Sequence, residues 1–325
     1  MDSRSVLAHL LHNGIAPRLD ITGSVEHEDV LIAKKIADKL GLELLAVEDS
    51  PEQGWIPEAM EGAAQGMFGV CGIYRLYKKA KRLQEIGDVL EFGGLAGEMY
   101  KNSFINQDFP FYSGNPDWGK FIKYKVMTFD FPQRICGKEI ASEISAMGKT
   151  LEGWLRQFDR EEKATAYLEA GYTILQQRSA GVSAMNAQHY TAYNPLIERK
   201  VAAYGFHKSP WRLEMQAFQR KQVSQFCPLI KDIRTDRGLT CSDGKIVSEW
   251  AKSMAFLCRV GLERLVMRKK AAGRVDACFR EGLRSPQYLD AFRRCQELQV
   301  LAKAVNPEDL PASIADRAFL VGSVL

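Results

Sequence analysis

Three short stretches carry residue types that suit the gripping of a phosphate. Asp2 and Ser3 open a helical pattern, and Ile21-Thr22-Gly23-Ser24 ends a short extended run, with Asp29 in the opening turn of the helix after it. Gly93-Gly94-Leu95-Ala96-Gly97-Glu98 follows the extended run DVLEF. In an open parallel sheet, ligands bind beyond the carboxyl ends of strands, where loops feed helix N-termini. Glycines there let backbone N–H groups approach an anion, and the helix dipole favours negative charge. Each stretch also has a plainer reading. GGLAGE is equally a tight strand-to-helix turn, Thr22-Gly23 a simple turn, and Asp29 an exposed helix charge or a first-turn acid favoured by the dipole.

The elements that would position these residues follow from periodicity. Asp2 or Ser3 can cap a helix in which Val6, Leu7, Leu10 and Leu11 recur at helical spacing, and Gly14 suits its C-terminus. Arg18 to Thr22 reads as extended. A second helix runs from about His27 to Leu40, with Val30, Leu31, Ile32, Ile36, Ala37 and Leu40 on its apolar side, and Gly41 closes it before a strand at Leu42 to Val47. This α-β-α-β alternation predicts a parallel sheet with helices on both faces, Rossmann-like in form. A helix that opens such a unit normally hangs from a preceding strand, so the chain is expected to lack its first strand. Residues 57–70 read as a small-residue helix, Ile73 to Ile86 as an amphipathic helix ended by Gly87, and Asp88 to Phe92 as a strand.

Composition divides the rest. Residues 1–110 read as an α/β nucleotide-type domain, 111–139 as an irregular aromatic-rich connection or lid, and 140–325 as a helical domain packing on the first. Helices are expected at 140–147, 151–158, 160–178, 196–205, 211–227, 244–271, 285–303 and 307–319, with strand signals nearly absent.

The 325-residue, 36.5 kDa chain carries a net charge of +4, with its basic residues spread out. The clusters Lys78 to Arg82 and Arg268 to Lys270 fall on helical patterns and make no nucleic-acid stripe. No stretch approaches the roughly 18 apolar residues of a membrane span. Cys71, Cys136, Cys227, Cys241, Cys258, Cys278 and Cys295 show neither framework spacing nor a C-x-x-C pair, which points to reduced thiols and a cytoplasmic protein. A serine hydrolase of the G-x-S-x-G type has no matching elbow.

The order of strand, Thr22-Gly23-Ser24, helix with Asp29, strand, amphipathic helix, strand and GGLAGE resembles the synthetase domain of the asparagine synthetase family, an ATP-pyrophosphatase fold of HUP type. Asp2-Ser3-Arg4 resembles the tail of that family's S-G-G-x-D-S loop, with Met1 at the variable position and the serine and both glycines upstream. Gly93 to Glu98 resembles its G-E-G-S-D-E block and Pro195-Leu196-Ile197-Glu198 its P-F-L-D segment. The region after Cys227-Pro228, including Arg234 to Gly238, resembles the loop bearing the family's catalytic lysine. The likeness spans roughly residues 1–240.

The resemblance implies ATP and Mg2+ as cofactors, and a small-molecule carboxylate with an amine or ammonia as substrates. The family's reaction forms an acyl adenylate with release of pyrophosphate, and an amine then attacks it. Asp2 would be the metal-side carboxylate, and Ser3, Gly93 and Gly94 would touch phosphate. Ile21, Thr22 and Gly23 would face the nucleoside, with Asp29 following. Glu98 would be a second metal or substrate group, or a helix-start cap, and Arg237 would steady developing charge, or be a surface arginine. Departures are marked. Gly97 stands where the family has a metal-holding aspartate, Gly94 stands for its substrate-side glutamate, and the lysine loop offers only Asp236 and Arg237. Arginine cannot act as a proton donor or base near neutral pH. Asparagine is therefore not the expected product. With no cysteine glutaminase domain, ammonia would come from elsewhere, for instance a separate amidotransferase or pathway partner. The alternative implied is a degenerate, non-catalytic nucleotide-binding or scaffold protein of the same fold.

Overall fold

The computed structural model describes residues 1–23, 25–47, 73–101, 103–105, 108, 112–126, 138–206, 216–235, 238–241, 251, 255 and 286–297. The helices expected at 57–70 and 307–319, almost all of the one at 244–271, and Arg237 lie outside them.

The chain folds as two compact units, one of residues 1–50, 92–106 and 193–266 and the other of residues 51–91, 107–192 and 267–325. These units interleave along the sequence, because they follow contact, whereas the consecutive division at 110 and 139 follows composition.

The first unit opens with α1 (Asp2–His12), then β1 (Leu19–Thr22), α2 (Glu28–Leu40) and β2 (Leu44–Val47). Glycine sets the ends. Gly14 at φ 76° follows α1, and Gly41 at φ 64° closes α2 in the left-handed region that side chains resist. β1 and β2 pair in parallel, with Ile21 opposite Ala46 and Thr22 opposite Val47. Farther along come α7 (Arg199–Phe206) and α8 (Ala217–Phe226), then a 3-10 turn at Pro228–Ile230. α1 lies along α8. Leu7 and Ala8 of α1 and Ile36 of α2 share one buried cluster with Val223, Cys227, Ile230 and Cys241. Val30, Ile36 and Ala37 are the buried side of α2, whereas Leu31, expected among them, is 46% exposed. Burial pushes the Cys227 thiol up, away from thiolate chemistry, and a hydrogen bond from the Ile230 backbone offsets this in part. Cys227, Cys241 and Cys295 are buried.

The second unit holds α3 (Ile73–Ile86), α4 (Trp118–Phe121), α5 (Lys138–Leu155), α6 (Lys163–His189) and α9 (Pro286–Glu297). One helix, α5, replaces the two expected at 140–147 and 151–158. Gly148 and Gly153 weaken a helix by about 1 kcal/mol each without breaking it. α6 runs on to His189, beyond the expected 160–178. The expected lid at 111–139 is a core element at its centre, because Trp118, Phe121 and Tyr167 form a buried aromatic cluster with centroids 5.1–5.6 Å apart. Asp108 adds an ion pair to Lys120 at 2.5 Å, and Trp118 donates its indole N–H to Asp159 at 2.6 Å.

β3 (Leu90–Phe92) pairs with β4 (Thr191–Tyr193), a strand that the sequence did not signal. Thr191 donates to Val89 and Gly93 donates to Tyr193, the staggered pattern of a parallel pair. Among the described residues the protein is thus α/β and mostly helical, with two small parallel two-stranded sheets. The broader Rossmann-like sheet expected from the alternation is not seen among them. No helix among the described residues is long and apolar enough to cross a membrane.

Candidate site at the glycine turn

The first unit brings the N-terminal turn of α1 against the turn that follows β3. A Cβ added at Gly94 would stand 3.2 Å from Asp2 Cβ and 3.2 Å from Ser3 N, so only glycine allows this approach without displacement. At Gly97 a Cβ would overlap the Asp2 carboxyl group, and at Gly93 it would overlap the Asn194 amide. Between these glycines Ala96 adopts φ 67°, a left-handed conformation uncommon for a residue with a side chain.

What holds the turn in that shape lies just beyond it. Met99 and Tyr100 close the 3-10 turn Gly97–Tyr100 and are buried. The Tyr100 ring stacks on Phe218 of α8 at 4.6 Å, and its hydroxyl donates to Leu196 O at 3.0 Å. Gly205 of α7 admits the Met99 carbonyl so closely that a Cβ there would be 2.9 Å from it. Two helices and the segment Pro195–Ile197 thus fix the glycine turn from behind.

Asp2 was expected to cap α1 or to hold a metal. The helix begins at Asp2 with Met1 as its cap and no side-chain cap bond, so the carboxylate is turned elsewhere. Its Oδ2 forms an ion pair with the Lys101 ammonium, and its Oδ1 accepts from Gln219 Nε2 at 3.2 Å. Gln219 Nε2 also lies 3.4 Å from Gly97 O. Gln219 is fully buried, and its Oε1 has no hydrogen-bond partner. An amide turned the other way would set its oxygen against the Asp2 carboxylate, so the present orientation is the favourable one.

Arg4 ties a third segment to this end of α1. Buried to 7% exposure, it donates to Ile233 O at 2.6 Å and to Arg234 O at 2.8 Å. Just beyond, Thr235 and Gly238 close a turn in which Gly238 has φ 73°. Arg237 is outside the described residues. Comparison with protein-family models, curated proteins and solved structures gives no match in any of the three.

The remaining expected residues are placed as follows. Ser3 is exposed at the first turn of α1, and Glu98 is half-buried in the turn Gly97–Tyr100. Ile21 and Thr22 end β1, and Gly23 follows, with Val30 3.2 Å from where its Cβ would be. Asp29 sits in the first turn of α2, where its backbone N–H donates to His27 Nδ1 at 3.2 Å while its side chain stays 58% exposed. Asp2, Gly94 and Gly97 are therefore in direct contact, and Asp29 takes no part in that contact set.

Lys101 and Gln219 are the residues that sequence reasoning missed, whereas Arg4 was singled out only as part of the Asp2-Ser3-Arg4 stretch, with no role of its own. Lys101 follows the glycine block by only a few positions, and that proximity was the one available signal. Gln219 gave none, since Asp2 lies 217 residues away, and nothing in the sequence paired Arg4 with Ile233, 229 residues on.

The donor set does not suit a divalent cation held by the protein. Both Asp2 oxygens are committed, Gly97 contributes no carboxylate, and among the described residues no group of three or more His, Cys, Asp or Glu could hold a metal. A metal on Asp2 would have to displace Lys101. What the arrangement holds instead is an ion pair, Asp2 with Lys101, at a helix N-terminus against a glycine turn.

A second concave feature belongs to the other unit. It is an open groove of about 700 Å³ lined by Asn115 to Gly119, Glu152, Arg156 and Asp159 to Glu161. Arg156 is paired with Glu152 at 3.1 Å, and Arg160 with Glu169 at 3.0 Å. None of the expected site residues lines it.

Proposed function

We propose that the chain is an ATP-dependent, AMP-forming amide ligase of asparagine synthetase type, making an amide other than asparagine, on a Rossmann-like nucleotide fold in the cytoplasm. The observation that carries this reading is the contact of the Gly94 backbone with Asp2 and Ser3 at the start of α1. Two strand-end features that the resemblance makes halves of one phosphate site are thereby neighbours, although about 90 residues separate them in sequence.

In this reading Ser3 and the Gly93–Gly94 backbone bind the pyrophosphate portion of ATP, and Lys101 neutralises charge there. The strand end Ile21-Thr22-Gly23 serves the nucleoside. A substrate carboxylate oxygen attacks the α-phosphorus as the bond to pyrophosphate breaks. The amine nitrogen then attacks the acyl carbon, the bond to AMP breaks, and the amine gives up a proton. Glu98 is placed on the substrate side, and Arg237 on the developing negative charge. Most of the acceleration would come from donors set in advance where charge appears.

A second reading, a nucleotide-binding or scaffold protein without turnover, is favoured by one specific observation. The Asp2 carboxylate already occupies the open face of Gly97 and is paired. Incubation with labelled ATP, Mg2+, ammonia and a panel of small carboxylic acids, read as AMP and pyrophosphate, separates the two. Acid-dependent pyrophosphate release is the expected result. ATP binding without release under any acid favours the second reading, and absence of ATP binding refutes the ligase and leaves only the scaffold form of the second reading.

A further inference from the structure

We propose that His9 and His12 make the α1–α8 contact a pH-sensitive clasp, closed while the pair carries at most one proton and weakened once acid adds the second. The clasp belongs to the first unit alone and needs no bound nucleotide.

It is built at the C-terminal end of α1. His9 and His12 lie three positions apart, so both rings stand on one side of the helix. Both pack on the same ring, Phe226 at the end of α8, with centroids 4.7 Å and 4.5 Å away and planes tilted by 46° and 39°. His9 is half-buried there and hydrogen-bonds the Gln222 side chain, which also accepts from Ser5 Oγ. Among the described residues no acid faces the pair. α8 presents Gln222 and Phe226 to it, and the segment after α1 presents Asn13, all uncharged.

The arrangement accepts one proton and resists two. A phenyl face attracts a cation, so Phe226 can favour charge on one imidazole. A second charge would sit three positions from the first on the same helix, without a counter-ion. Nor does the helix end receive it, because the His9, Leu10 and Leu11 carbonyls already accept from Asn13, Gly14 and Ile15. Burial, and after it His12, holds the His9 imidazole below the ordinary 6.5, with the Gln222 hydrogen bond opposing. The unfolded chain therefore takes up this proton more readily than the folded one. The stability that His9 controls is complete above pH 6.5 and is lost as pH falls from there through the lowered folded value. Because α1 carries Asp2 and α8 carries Gln219, loosening their contact also loosens the seating of the turn Gly97–Tyr100.

The test is a histidine NMR titration of the full chain, with hydrogen exchange on the same samples. The His9 midpoint is expected below 6.5 in wild type and should rise in His12→Gln, which removes the second charge. A His9 midpoint at or above 6.5, or one that His12→Gln leaves unmoved, overturns the clasp. Exchange protection of α1 and of the turn Gly97–Tyr100, corrected for the intrinsic effect of pH, should fall between pH 7.5 and 5.5 by at least about threefold more in wild type than in His9→Gln. Equal losses in the two proteins overturn it as well. The wild-type titration decides even if a variant does not fold.

Discussion

Asp2 and Asp29 start from similar positions and end in different situations. Each is an acid in the first turn of a helix of the first unit, and each is associated with a glycine turn at a strand end. Asp29 keeps 58% of its side chain exposed, with His27 Nδ1 3.8 Å from its carboxylate. Asp2 keeps 16%, faces Lys101 and Gln219, and fills the space that a side chain at position 97 would need. The difference lies in what the rest of the chain brings. Nothing described closes over Asp29, whereas α8 and the turn after β3 converge on Asp2. An acid in a helix's first turn is a local feature, and only long-range packing turns such an acid into a site.

The strongest way to break this comparison is to remove the two carboxylates in turn. Asp2→Asn leaves the Lys101 ammonium with 18% exposure and no counter-charge. Stability should fall by about 2–3 kcal/mol, at or below the low end for breaking a buried pair because the lysine retains some access to water. Urea denaturation midpoints at constant m-value measure it. Adding Lys101→Met to Asp2→Asn should recover most of the loss, since no unpaired charge then remains. A loss under about 0.5 kcal/mol for the single variant would place Asp2 in the same class as Asp29.

The next largest effect sharpens the contact. Gly97→Ala puts a methyl group where the Asp2 carboxyl group lies, so either the carboxylate moves off Lys101 or the turn opens. Overpacking of this kind costs about 1–3 kcal/mol. In an Asp2→Gly background the same substitution should cost well under half as much, a non-additivity that a double-mutant cycle reads directly. Equal costs in both backgrounds would show that the turn resists a side chain for reasons unrelated to Asp2.

How much of this was legible in the sequence follows the same division between local and distant. Gly14, Gly41 and Gly87 marked element ends because a positive φ is a property of the residue itself, and all three adopt it. The starts of α2 and α3 and the strands β1 and β2 lay within a few residues of expectation for the same reason. β4 was not legible, since the three exposed residues Thr191–Tyr193 form a strand only by pairing with β3. Trp118 and Phe121 read as loop because Gly and Pro surround them, yet Tyr167 of α6 packs on both and Asp159, just before α6, takes the Trp118 indole N–H. At the candidate site, the glycines and Asp2 could be picked out by type. Lys101 as the partner of Asp2 could not, because a lysine three residues after a glutamate reads as an ordinary surface charge.

The smallest effect tests the exposed side of the comparison. Asp29→Asn removes a negative charge from the first turn of α2 and keeps the backbone N–H bond to His27 Nδ1. A first-turn carboxylate interacts with the helix dipole by about 0.3–1 kcal/mol at low ionic strength, and exposure puts this one at the lower end. The loss should be about 0.3 kcal/mol in dilute buffer and should vanish in 1 M salt, where the screening length is about 3 Å. The Asp2→Asn loss should change far less with salt, because that pair is largely shielded from solvent ions. Both denaturation series can be run on the same preparations. If the two variants lose their effect together as salt rises, Asp2 is screened like a surface charge, and the distinction between the two carboxylates fails.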